Sequence, residues 1–137
     1  WLPEDPLEAL EVRFLDRFFD NDVMTAMQKP VFEAIRKDNA RRDEAMAEAR
    51  RALDLAYAWL EHRLAGRTWA AGETLSLADC AAAPSLFYAD WVHAIGPAFP
   101  TLRAYRSRLL AWPAFARAVD EARPFRHYFP LGAPDRD

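Results

Sequence analysis

Apolar residues recur at intervals of three and four along most of the chain, which is the pattern of helices that pack on one side. The first stripe begins near Pro6 and is dense enough for a buried helix; it consists of Leu7, Leu10, Phe14 and Phe18 and is widened by Val12, Leu15 and Phe19. The pattern continues to Ile35, but Pro30 lacks an amide hydrogen, so we expect the helix to kink or divide there. No segment shows the alternation of a β-strand.

A second long helix follows a polar connection over residues 37–43, where Asn39 is suited to end one helix and an aspartate to start the next. Its apolar face is Ala45, Ala49, Ala52, Leu53, Ala56, Leu60 and Leu64. Gly66 can end it in a left-handed conformation. The short connection predicts that the two long helices are antiparallel.

The most informative motif is Ser76-Leu77-Ala78-Asp79. A serine followed three residues later by an acid predicts a capping box, in which each side chain accepts the other residue's backbone amide. The apolar run after it predicts a helix that lies centrally in a bundle, reaches about Ile95 and is kinked at Pro84.

In the rest of the chain, prolines mark the predicted boundaries of the elements. They predict a helix from Pro100 through Leu110, a short helix after Trp112-Pro113 that ends near Glu121, and an irregular tail from Pro124. The predicted fold is therefore all-α, a bundle of about five helices with a long antiparallel pair and a central capped helix.

Composition adds limits on function. Hydrophobic residues make up 52% of the chain and charged residues 28%, as in a folded domain. A net charge of −3 disfavours nucleic-acid binding, and no apolar run reaches the roughly 20 residues of a membrane span. One cysteine, Cys80, cannot form an internal disulfide, which favours the cytoplasm as a reducing compartment.

This order of elements resembles the C-terminal, all-helical domain of the glutathione S-transferase family, of the bacterial type. The resemblance is carried by Gly72 through Pro84, which reads GETLSLADCAAAP, and by the later Trp112-Pro113-Ala114-Phe115. It implies an interdomain linker at 1–5, the helical domain at 6–123 and a C-terminal tail at 124–137. It also implies a glutathione-binding, thioredoxin-like domain upstream of Trp1, with glutathione as co-substrate and a homodimer as the assembly.

No residue of this chain inherits a catalytic role from that resemblance, and Ser76 and Asp79 are assigned to stability. The helical domain of the family instead supplies an apolar pocket for the electrophile. By position on the first helix, the substrate-binding candidates are Phe14, Arg17, Phe18, Asn21 and Met24. The alternative is core packing for the aromatic rings and Met24, and simple surface exposure for Arg17 and Asn21.

The other reactive residues are assigned no role in catalysis or metal binding. Cys80 among alanines is interpreted as an unreactive buried thiol, and three scattered histidines lack the spacing of a metal site. The tail aromatics Phe125, Tyr128 and Phe129 either fold over the pocket mouth or pack on the bundle.

Two functions follow. In the first, the chain is the electrophile-binding and dimerisation domain of a glutathione transferase, which conjugates glutathione to a small electrophile in the complete protein. In the second, it is a non-catalytic, transferase-like module for protein assembly.

Overall fold

In the computed structural model, residues 1–36 and 40–137 are described, and every regular element within those ranges is a helix. The α-helices are α1 (Pro6–Phe18), α2 (Thr25–Ile35), α3 (Arg42–Arg63), α4 (Leu77–Val92), α5 (Pro100–Ala111) and α6 (Pro113–Ala122). A π-helical turn, Phe19–Met24, joins α1 to α2, and a 3₁₀ helix, Arg123–Tyr128, follows α6. The predicted all-α bundle is confirmed.

The long pair consists of α1 with α2 on one side and α3 on the other. Contacts between them pair early residues with late ones: Glu11 with Arg63, Phe18 with Trp59, and Lys29 with Glu48. This descending order means that the two arms are antiparallel. Ten of the sixteen residues of α4 are buried, so α4 is the central helix of the bundle.

The first helix is divided at the π-helical turn and not at Pro30, where the sequence predicted the break. Pro30 is buried inside α2. In the turn, the Thr25 amide donates to the carbonyl of Asp20, five residues back, and the Thr25 hydroxyl donates to the same oxygen over 2.9 Å. Phe19 and Val23, both within the turn, are fully buried.

Only part of the stripe that predicted a buried first helix faces the core. Leu7, Leu10 and Phe14 are 77%, 62% and 53% exposed. The core contacts come from the residues that widen this stripe, since Val12, Leu15 and Phe19 are buried. The exposed and the buried residues both have helical spacing, so periodicity alone cannot say which of them face the core.

Several helix ends also differ from the sequence prediction. The N-cap of α3 is Arg41 and not an aspartate, although Asp43 lies in the first turn; Asn39 lies outside the described residues. The central helix stops at Val92, short of Ile95, and beyond its end the Ile95 amide donates to the Asp90 carboxylate over 2.7 Å. The tail is not wholly irregular, since residues Arg123–Tyr128 form the 3₁₀ helix.

A glutamate of α3 caps a different helix. Both carboxylate oxygens of Glu61 accept backbone amides at the start of α5, from Thr101 and Leu102, at 2.9 Å each. Burial alone raises the pKa of Glu61, but the amide donors outweigh it, so the pKa is lowered overall. The N-terminus of α5 is thereby fixed to α3.

The start of α4 depends on the side chain of Asp79. Ser76 and Asp79 form a capping box, with the Ser76 amide 2.8 Å from Oδ2 of Asp79. Asp79 is fully buried, and its Oδ1 also accepts the Ala70 amide over 2.8 Å and the Tyr105 hydroxyl over 2.7 Å. One carboxylate therefore joins the loop before α4, the first turn of α4 and the middle of α5.

We predict that Asp79→Ala lowers the free energy of unfolding by about 4 kcal/mol, because it leaves several buried donors without an acceptor. The matched control is Asp5→Ala, which removes an exposed aspartate that caps α1 through the Leu7 and Glu8 amides. That control should cost about 1 kcal/mol. Urea denaturation followed by circular dichroism measures both, and equal losses would contradict the assignment.

Candidate electrophile groove

An open groove of about 480 Å³ lies between the first arm of the long pair, the second half of α4 and the C-terminal region. Its walls are mainly aromatic and aliphatic, with Gln28 and Arg126 as the polar exceptions. The lining residues are Met24, Met27, Gln28, Val31, Phe32, Phe87, Tyr88, Trp91, Val119, Ala122, Phe125, Arg126, Tyr128, Phe129 and Pro130. We call this the tail groove; its size and apolar walls are typical of a small-molecule site.

Aromatic rings form the floor of the tail groove. Trp91 lies 4.7 Å from Phe87 and 5.4 Å from Tyr88 between ring centroids. Phe129 from the tail stacks on Tyr88 at 5.9 Å and meets Trp91 edge-on at 5.2 Å. The Arg126 guanidinium lies 5.6 Å from the Trp91 ring centre, as in a cation–π contact.

Ion pairs hold the tail in this position. Arg136 binds the carboxylate of Asp90 at the end of α4, and it donates to the Asp90 carbonyl over 2.9 Å. Asp137 pairs with Arg123 and Arg126 of the 3₁₀ helix. The tail therefore packs against the bundle and lines the groove at the same time.

The five substrate-binding candidates of the first helix do not share one site. Phe14 and Phe18 pack on Trp59 of α3, with ring centroids 5.9 Å and 4.3 Å away. Arg17 is exposed and pairs with Asp16 over 2.8 Å and Asp20 over 2.6 Å. Phe14 and Phe18 therefore face α3, and neither they nor Arg17 line the tail groove.

Asn21 and Met24 lie on different sides of the first helix. Asn21 is exposed and lines a shallow hollow against α3 together with Phe18 and Trp59. Met24 is half-buried and lines the tail groove. Of the five candidates, Met24 alone borders that groove.

The sequence reasoning missed the aromatic floor. Tyr88 and Trp91, spaced three apart near the end of a predicted central helix, were a usable signal, because large rings at that spacing share one helix face. Their partner Phe129 lies about forty residues further along, in a segment without periodicity, so its position depends on tertiary packing.

Other reactive side chains have ordinary surroundings. Cys80 is half-buried, and burial followed by the charge of Asp79 raises the pKa of its thiol. His93 lies 2.7 Å from Asp54. Across residues 1–36 and 40–137, no three His, Cys, Asp or Glu side chains are grouped so as to hold a metal ion. None of the helices in those ranges is long and apolar enough to cross a membrane.

A family model described as "Glutathione S-transferase, C-terminal domain" matches residues 23–113. The chain belongs to this family. A probable glutathione S-transferase of Glycine max is 32% identical over 91 residues, which cover 66% of this chain and 36% of the relative. The expected family and fold are thus confirmed.

Two solved structures show the same fold. A glutathione S-transferase of Methylobacterium radiotolerans in complex with glutathione sulfonate is 28% identical, with a TM-score of 0.70, and the match covers 86% of this chain and 57% of that one. FzlA from C. crescentus is 26% identical, with a TM-score of 0.71 and coverage of 87% and 55%. The chain therefore spans a little over half the length of these proteins.

Because Phe129 packs on both Tyr88 and Trp91, we predict that Phe129→Ala loosens the tail. A half-buried ring should contribute about 1 to 2 kcal/mol, so local opening should become about tenfold more frequent. Limited trypsin digestion followed by mass spectrometry should then show faster cleavage after Arg126. Phe125→Ala is the control, since Phe125 is 61% exposed; equal acceleration by both variants would contradict the anchoring role.

Proposed function

We propose that this chain is the electrophile-binding and dimerisation domain of a glutathione transferase, and that the complete protein conjugates glutathione to a small apolar electrophile in the cytoplasm. The observation that carries the proposal is the tail groove, a concave site lined by rings and methionines. In this proposal glutathione is bound mainly by a thioredoxin-like domain outside this chain, residues 1–5 link the two domains, 6–123 are the helical domain and 124–137 the tail.

The walls of the groove suit an uncharged ligand. Met24 and Met27 have flexible, polarisable side chains that adapt to different shapes, and the rings of Tyr88 and Trp91 offer faces for stacking. The charge of Arg126 is already paired with Asp137. The groove therefore provides binding area for an apolar electrophile.

A charge placed in this groove tests the proposal. We predict that Met24→Glu in the complete protein raises KM for an apolar electrophile about tenfold or more, because an unpaired carboxylate in an apolar site is unfavourable. KM for glutathione should stay within about twofold if that thiol is bound elsewhere. Steady-state kinetics with both substrates varied measures the two values.

Asn21→Glu adds the same charge on the α3 side of the helix and separates the two placements of the site. If it raises KM for the electrophile while Met24→Glu does not, the pocket is formed by the first-helix face and not by the tail groove. A complete protein that neither binds glutathione nor conjugates it, but forms a stable complex with another protein, would favour the assembly module.

The homodimer is proposed to form through an apolar patch on α1 and α3, which comprises Phe14, Phe18, Leu55 and Trp59. Phe14 is 53% exposed and Leu55 is 76% exposed, although both are large and apolar. Self-association through a two-fold axis would bury them against the same patch of a second copy.

We predict that Phe14→Glu weakens self-association of the complete protein by about tenfold or more, since it brings two carboxylates together near the axis. Ile35→Glu is the control, because Ile35 is 64% exposed at the end of α2 and outside the patch. Analytical ultracentrifugation over a concentration series distinguishes the two. A dimer that is unaffected by Phe14→Glu would place the interface elsewhere.

A further inference from the structure

A second cleft, of about 430 Å³, lies between the end of α4, the loop at Gly96-Pro97, α5 and the tail. Arg103, Arg106 and Arg136 line it, and we call it the arginine cleft. It is separate from the tail groove and has no part in the proposed transferase function. Its volume lies within the range of small-molecule sites.

The guanidinium of Arg106 is buried without enough partners. Its side chain is 12% exposed, and its Nε donates to the Leu86 carbonyl over 3.3 Å. Its Nη2 is shielded from solvent and lies 3.5 Å from Oδ2 of Asp90, but it has no hydrogen-bond partner among the described residues. Burial lowers the pKa of Arg106, which the nearby Asp90 offsets only in part. A buried guanidinium hydrogen without an acceptor indicates a missing anion or water.

Both carboxylates of the cleft already have hydrogen-bond or ion-pair partners. One oxygen of Asp90 accepts the Ile95 amide and the other binds Arg136. Asp137, the second acid of the lining, is held by Arg123 and Arg126. The cleft therefore has an excess of positive charge, although the whole chain carries −3.

Arg103 adds an available donor. It lies one helical turn before Arg106 on α5, is exposed, and its side chain pairs with no group in residues 1–36 or 40–137. Two guanidinium groups three residues apart on one helix face can bind the same ligand. A phosphate dianion has three terminal oxygens that accept from such a pair, whereas a carboxylate has two oxygens and a single charge.

We propose that the arginine cleft binds a small phosphate monoester, with Arg103 as the entry contact and the buried guanidinium of Arg106 behind it. The phosphate oxygens accept from the Nη2 group that Arg106 leaves without a partner. The remaining volume of the cleft receives the organic part of the ester.

Calorimetric titration of the 137-residue chain tests this, with glycerol 3-phosphate, inorganic phosphate and succinate as probes at an ionic strength held constant with chloride. We expect saturable binding of glycerol 3-phosphate with one site per chain, and weaker binding of succinate. Arg103→Gln should weaken the phosphate ester about tenfold, because it removes a charge-assisted contact. Arg106→Lys, which keeps the charge but loses the planar fork, should also weaken it.

Arg117→Gln is the matched control, since Arg117 is exposed on α6 and lies 3.8 Å from Glu121. It removes the same charge and should change the affinity less than twofold. Non-saturable heats, equal losses for Arg103→Gln and Arg117→Gln, or succinate binding as tight as the ester would each overturn the proposal. Thermal unfolding of every variant shows whether it is folded before the titrations are compared.

Discussion

The buried carboxylate of Asp79 is the interaction on which the rest of the fold depends. Its four hydrogen-bond donors, from Ala70, Tyr105 and two groups of Ser76, are all neutral, so hydrogen bonds alone offset the loss of hydration of this acid. They come from the loop before α4, the N-cap of α4 and the more distant α5. Burial, together with the charge of Asp79 and its hydrogen bond, raises the pKa of Tyr105, which therefore keeps its hydrogen for donation.

Fixing both ends of α4 positions the tail groove. Asp79 holds the first turn, while at the other end the Tyr57 hydroxyl donates to the His93 carbonyl over 2.9 Å and Asp90 binds Arg136. The rings of Tyr88 and Trp91 lie between these points on a helix that cannot rotate without breaking them. A ligand site built on such a rigid element needs only a tail segment to complete it, and Phe129 provides that contact.

The features that depend on short-range chemistry could be predicted from the sequence. The features that depend on tertiary contacts could not. Ser76 and Asp79 were found because a capping box is a short-range motif, but Ala70 and Tyr105 as further partners could not be foreseen from spacing. The exposed Leu7 and Leu10 were assigned to the core together with Val12 and Leu15, because the apolar stripe of α1 is wider than the face that the bundle covers. The five candidates of the first helix were grouped by position, and the split between Phe14 and Met24 depends on contacts with α3 and the tail that no local pattern encodes.

Native-state hydrogen exchange of Asp79→Asn tests most directly whether one carboxylate couples these elements. Our account predicts that the Ala70 and Ser76 amides and the amides of α5 around Tyr105 all lose protection by a similar factor, because the same acceptor group holds them together. If the Ser76 amide alone exchanges faster while the Ala70 amide and α5 keep their protection, Asp79 is a simple helix cap and the account is contradicted.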